Sequence, residues 1–307
     1  MGRIPDTDIE VFPLCLGGNV FGWTADERQS FEALDAYAAA GGNFIDTADT
    51  YSSWVPGHAG GESETIIGRW MAARGTRNRM VIATKVGMKP GLKGLSPATI
   101  RTAAEGSLQR LATDRIDLYY AHADDPDTPL VESLRAFDAL VKEGKVRHIA
   151  ASNYKAPRLA EALAISRREG LARYIALQPH YNLVNREYEG ELRDLCAREK
   201  VACFPYYGLA KGFLTGKYRP DTQVESPRAA AARAYLDEHG LRLLAVLDDI
   251  AAAHDTTVAG VSLAWLVAQP TVVAALASAR GREQLADLLP AVDITLSPGE
   301  LERLSSA

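Results

Sequence analysis

Short apolar runs alternate with longer amphipathic stretches from residue 14 to residue 289, and this alternation narrows the fold more than any other feature. The runs 14–16, 44–45, 81–85, 116–121, 146–151, 174–178, 201–204 and 271–277 have the length and composition of buried strands. Helical spacing occupies the intervals 26–40, 63–74, 97–111, 129–143, 156–168, 187–200, 241–254, 258–269 and 281–289. Pro97 suits a first helical turn, and Gly41, Gly144 and Gly170 suit helix ends. Eight strands, mostly followed by helices, predict a (β/α)8 TIM barrel spanning 1–307 as a single domain. An N-terminal strand pair up to Val11 should cap one end, and an insertion from Tyr206 to about Gly240, with extra helices, should decorate the C-terminal half. A doubly wound open sheet is the alternative, but no GxGxxG follows any strand.

In such a barrel the chemistry gathers at the carboxyl ends of the strands. Asp46 ends the second predicted strand, Lys85 the third and His122 the fourth, while Tyr51 follows Asp46 by five residues. Adjacent strands lie about 4.8 Å apart, which brings the three strand-end groups within roughly 10 Å of one another. Taken singly each has a bland reading: a turn-forming Asp, a snorkelling Lys, a structural His, a rim Tyr. Taken together they form an acid–base set. A buried Lys85 needs Asp46 as counter-ion, and a cation beside Tyr51 should lower a phenol pKa that starts near 10. His122 would orient a carbonyl oxygen. A metal site at His122-Ala123-Asp124-Asp125 is not expected, because no second well-placed His accompanies it.

Composition limits the partners. A net charge of −5 and a pI of about 5.8 argue against nucleic acid. No apolar run reaches membrane-spanning length, and Met1-Gly2-Arg3-Ile4-Pro5-Asp6 is not the start of a signal peptide. Cys15, Cys196 and Cys203 show no CxxC spacing and read as buried free thiols in a cytoplasmic protein. Oligomeric state is not legible.

The segments FIDTADTY, GESETIIG, IATKVG, DLYYAH, ASNY, LQPHYN, GLAKGFLTGKY and SLAWLVAQP, in this order and spacing, resemble the aldo-keto reductases over nearly the whole chain. The stretch SWVPGHAGGESE further resembles a bacterial subgroup. The resemblance implies NADPH-dependent reduction of an aldehyde or ketone, with Asp46, Tyr51, Lys85 and His122 as the catalytic tetrad and Tyr51 as general acid. It also implies an extended NADPH held without a Rossmann domain. Ser152, Asn153 and Gln178 would hold the nicotinamide carboxamide, Tyr206 would stack on its ring, and Gly18, Asn19 and Val20 would lie near the ribose. Leu209, Lys211 and Gly212 would wrap the pyrophosphate, with Ser278, Arg280 and Gln284 at the adenosine end. Departures fall in this clamp: Tyr206-Tyr207-Gly208-Leu209-Ala210 lacks the usual Ser and Pro, Ser278 replaces a Gly, and Leu288 replaces an Asn.

Trp23, Trp54 and Tyr207, with Val55 and Pro56, are the expected substrate rim. Aromatic walls suit ring ketones and also stack on sugar faces. Two other functions compete with the reductase. A cofactor-holding redox sensor would not need a complete tetrad, and an isomerase or dehydratase would not need a carboxamide clamp.

Overall fold

The computed structural model describes residues 1–307. Eight parallel strands form one sheet: β1 (Leu14–Gly17), β2 (Phe44–Asp46), β3 (Val81–Val86), β4 (Ile116–Ala121), β5 (Val146–Ser152), β6 (Tyr174–Gln178), β7 (Ala202–Cys203) and β8 (Ala275–Ala277). Their spatial order is β7-β6-β5-β4-β3-β2-β1-β8. A parallel bridge between Cys203 and Val272 joins the two ends, with Cys203 N donating to Thr271 O at 2.8 Å and Val273 N to Cys203 O at 3.1 Å. The sheet thus closes on itself as a (β/α)8 barrel.

Period-two alternation explains the two cores. Cys15, Phe44, Val81, Ala83, Leu118, Tyr120, Ala150, Ala176, Ala202, Phe204 and Leu276 face inward and fill the barrel in one cluster. Ile4, Ile9 and Val11, brought in by the antiparallel pair Gly2–Arg3 and Glu10–Val11, plug its amino end. The intervening residues, such as Leu16, Ile45, Ile82, Tyr119, Ile149 and Leu177, face outward into the larger layer between strands and helices. Asp46, Lys85, Ser152 and Gln178 carry the inward parity at the carboxyl ends of their strands, above the apolar plug.

Local signals set the helix starts in the first half, where Asp26, expected as the first helical residue, is instead the cap. Asp26 accepts from Gln29 N and forms a capping box for the helix Glu27–Ala39, and Ser96 caps Pro97–Leu111. The second half differs from expectation in several places. The helix expected over 187–200 is only Glu191–Arg198, because Gly190 enters at φ 84 and Asn182 Oδ1 holds Val184 N and Asn185 N in a turn. The last strand is Ala275–Ala277 rather than 271–277, since Thr271 sits at φ 70 and only Val272 bridges β7. The helix expected over 281–289 is Arg282–Ala286, followed by the 3-10 turn Leu289–Val292. Sequence reading missed the hairpin Met88–Lys89 and Leu92–Lys93, and also the closing helix Pro298–Ser306. That helix is announced by a Ser297/Glu300 capping box.

Candidate active site

The strand ends support a cluster of buried polar groups. Lys85, 0% exposed, follows from the register: it lies opposite Tyr120 on β4, on the inward side of β3. Its Nζ donates to Asp46 Oδ1 at 2.7 Å, Asp46 Oδ2 at 2.6 Å, Thr47 O at 2.8 Å and Tyr51 Oη at 3.1 Å. Tyr51 Oη in turn donates to Asp46 Oδ2 at 3.3 Å, and Gln178 Nε2 donates to Asp46 Oδ1 at 2.8 Å. The cation therefore has its counter-ion and neutral acceptors around it, which a charge in this low-dielectric position requires. His122 sits one residue past β4, its N–H donating to Val86 O at 2.9 Å and its ring 6.2 Å from that of Tyr51.

The electrostatics reverse one expectation. Burial, then the charge of Asp46, push the Tyr51 phenol well above its ordinary range rather than below it. Lys85 does not offset this, because its ammonium is shared with the carboxylate that faces the same hydroxyl. Tyr51 is consequently a fully protonated hydroxyl at neutral pH. His122 is pushed down to about 3 by burial and by Lys85, so its imidazole is neutral, and its buried Nδ1 has no partner.

A cavity of about 760 Å³ opens over this cluster. Among the residues singled out from sequence, Asn19, Val20, Tyr51, His122, Ser152, Asn153, Gln178, Tyr206, Leu209, Lys211, Gly212, Ser278, Arg280 and Gln284 line it, as do Trp23, Trp54 and Tyr207. Asp46 and Lys85 lie beneath its floor. Gly18 lies behind the wall: its carbonyl accepts from Ser63 Oγ at 2.7 Å, and a Cβ there would meet the same oxygen. Val55 and Pro56 do not reach the lining.

The amide-bearing residues are linked to one another. Ser152 Oγ donates to Gln178 O at 2.9 Å, Asn153 Nδ2 donates to His122 O at 2.9 Å, and Tyr206 Oη donates to Asn153 Oδ1 at 2.8 Å. Tyr206 stacks one face on His180 at 5.3 Å and 14°. Ser278 Oγ donates to Asn19 Oδ1 at 2.7 Å, tying the loop after β1 to the loop after β8. Asp124 and Asp125 are committed elsewhere, Asp124 to Arg158 at 2.9 Å and Asp125 to Leu95 N at 2.6 Å.

Sequence reasoning missed part of the lining. Lys217 and Arg228, from the insertion, join Lys211 and Arg280 on the cavity wall. None of the four makes an ion pair, whereas nearby Arg219 pairs with Asp248 at 2.6 Å. A charge run in a loop without period carries no sequence signal of direction, so only folding could reveal these two. Four unpaired cations and the left-handed turn at Lys211 (φ 58) and Gly212 (φ 103) give this wall a basic face suited to anionic ligand groups.

Comparison with known proteins gives a consistent result. The sequence profile described as the Aldo/keto reductase family matches residues 13–307. The Uncharacterized oxidoreductase YrpG of Bacillus subtilis is 34% identical, with 97% of this chain and 93% of that protein covered. Protein tas of Escherichia coli is 31% identical, with 99% and 96% covered. Aryl-alcohol dehydrogenase GME11368 of Pestalotiopsis microspora is 29% identical, with 98% and 79% covered.

Proposed function

The chain belongs to the aldo/keto reductase family of NAD(P)H-dependent oxidoreductases, and on that premise we propose that it reduces an aldehyde or ketone to the alcohol with NADPH. The observation that carries this reading is the Tyr51 hydroxyl, presented to the cavity while held by Lys85 Nζ at 3.1 Å and Asp46 Oδ2 at 3.3 Å. When bound, the nicotinamide supplies the hydride. Lys211, Gly212, Arg280 and Gln284 hold its phosphates and adenosine, while Ser152, Asn153, Gln178 and Tyr206 hold its ring end.

Tyr51 is the general acid. It is protonated at neutral pH, so its proton is in place when negative charge develops on the substrate oxygen, and it transfers that proton to the oxygen. The phenolate left behind is met by Lys85 Nζ, which already touches the same atom, so no group has to reorganise at that moment. Asp46 holds Lys85 in place through both carboxylate oxygens. Neutral His122 donates a hydrogen bond to the carbonyl oxygen and positions it beside Tyr51.

The substrate end is aromatic. Trp23 and Trp54 meet edge to face at 5.5 Å, and Trp54 meets Tyr51 at 6.2 Å. This wall, together with the name of the aryl-alcohol dehydrogenase relative, supports an aromatic carbonyl compound. A cytoplasmic protein with one catalytic domain over 1–307 completes the reading. NADPH consumption against aromatic aldehydes, ring ketones and keto-sugars tests it. Cofactor that binds with no turnover on any of them would favour a sensor instead.

A further inference from the structure

The geometry points to an anion subsite at Arg228: the carbonyl substrate carries a carboxylate, which this guanidinium meets at the end of the aromatic wall that begins at Tyr51. The inference rests on the reading that Tyr51 meets the carbonyl oxygen.

Arg228 is held by its backbone and presented by its side chain. Its N–H donates to Ser226 Oγ at 3.3 Å and its carbonyl accepts from Ala232 N at 2.9 Å, at the start of the helix Ala229–Arg233. The guanidinium lies 5.4 Å from the centre of the Trp23 ring, half-buried in the cavity wall, with no carboxylate and no hydrogen-bond acceptor from the protein. A planar guanidinium on an indole face is well placed for a bidentate anion, and a partly desolvated charge without a counter-ion gains most from one.

Its neighbours identify which anion. Three successive contacts run along one wall: Tyr51 to Trp54 at 6.2 Å, Trp54 to Trp23 at 5.5 Å, and Trp23 to Arg228 at 5.4 Å. Arg228 therefore belongs to the carbonyl end as well as to the rim. Lys211, Lys217 and Arg280 already offer three cations to the dinucleotide phosphates. The remaining cation, Arg228, lies on Trp23, so that Trp23 and Trp54 stand between it and Tyr51. A formyl or keto group, a flat apolar spacer and a carboxylate fit that order.

The test compares 4-carboxybenzaldehyde with its uncharged ester, methyl 4-formylbenzoate, using NADPH. Wild type is expected to prefer the acid by about 10- to 100-fold in kcat/KM, through KM. R228Q brings the ratio near one, and R228K recovers part of it. A ratio near one in wild type, or one that R228Q leaves intact, overturns the subsite. So does an intact ratio with weakened NADPH binding in R228Q, which would assign Arg228 to the dinucleotide. Terephthalate titrated into NADP-loaded protein, followed by tryptophan fluorescence, provides a readout without turnover. Saturable quenching that R228Q loses supports the subsite even if neither aldehyde is reduced, in which case it is the reductase reading that fails. No quenching in wild type overturns the subsite.

Discussion

The two ends of the cavity are built on opposite terms. At the carbonyl end, Asp46, Lys85, Ser152, Asn153 and Gln178 find partners in the protein, and Lys85 alone has four contacts within 3.1 Å. At the other end, Lys211, Lys217 and Arg280 have no acidic partner, and burial together with the charges of Arg280 and Arg228 lowers the proton affinity of Lys217. A network of Asp46, Lys85 and Tyr51 bonded to one another holds its geometry before any ligand arrives, which is what positioning for proton transfer demands. An unsaturated one keeps its charge for the ligand, which is what affinity for phosphate demands. Damage at the first end should therefore appear in rate and fold stability, and damage at the second in binding.

The largest expected effect is at Tyr51. Tyr51→Phe removes one hydroxyl and is expected to lower carbonyl reduction by at least about 10²-fold. NADPH affinity, read by fluorescence titration, should hardly move. Turnover near wild type would remove Tyr51 from the role of acid.

Lys85→Met probes the same end through stability. It leaves Asp46 charged and buried with only Gln178 and Tyr51 as donors, a loss of about 3–5 kcal/mol for a broken buried pair. Chemical denaturation should show the loss alongside the fall in rate. A variant that kept wild-type stability and pH–rate profile would break the idea that the Asp46–Lys85 pair holds this end together.

Asp49, three residues after Asp46 but on the outer side of the wall, is the contrasting case. Both its oxygens are buried without a partner, and burial with the nearby Glu64 pushes its carboxyl up to about 7. An acid with a raised folded pKa binds more protons folded than unfolded between roughly pH 4 and 7, so stability falls as pH rises through that window. The full effect above pH 7 is on the order of 4 kcal/mol. Asp49→Asn is expected to raise the melting temperature at pH 8 and to change it little at pH 4; equal shifts at both would show that Asp49 is not the group responsible.

Arg280 gives the smallest effect and sharpens the binding end. The two nicotinamide cofactors differ by one ribose phosphate, and losing a charge-assisted contact costs about 1.5–3 kcal/mol, or roughly 10- to 150-fold. Arg280→Ala should weaken NADPH by that factor and leave NADH nearly unchanged in parallel titrations. Equal losses for both would exclude Arg280 as the phosphate reader.

The carbonyl end was the more legible of the two because strands are periodic. Once 44–46, 81–86 and 116–121 are recognised as strands, parity alone turns Asp46 and Lys85 inward and sets His122 at the next strand's mouth. The helix start at Pro97 and the helix end at Gly170 were equally readable, since such signals act within a few residues. Loops have no such rule. Nothing local indicates that Lys217 and Arg228 turn toward the cavity while Arg219 turns to Asp248, or that Gly18 stays behind the wall.

Hydrophobic period was thus enough for the barrel and for the strand-end placement of Asp46, Lys85 and His122, and the ordered motifs were enough for the family, because each depends on residue type at a fixed spacing. Tertiary structure alone decided the sign of the Tyr51 shift and the charge of the far wall. Both are sums of burial and through-space interactions among groups distant in the chain, such as Gln178 on Asp46 and Arg228 on Trp23, and no reading of neighbours in sequence contains those distances.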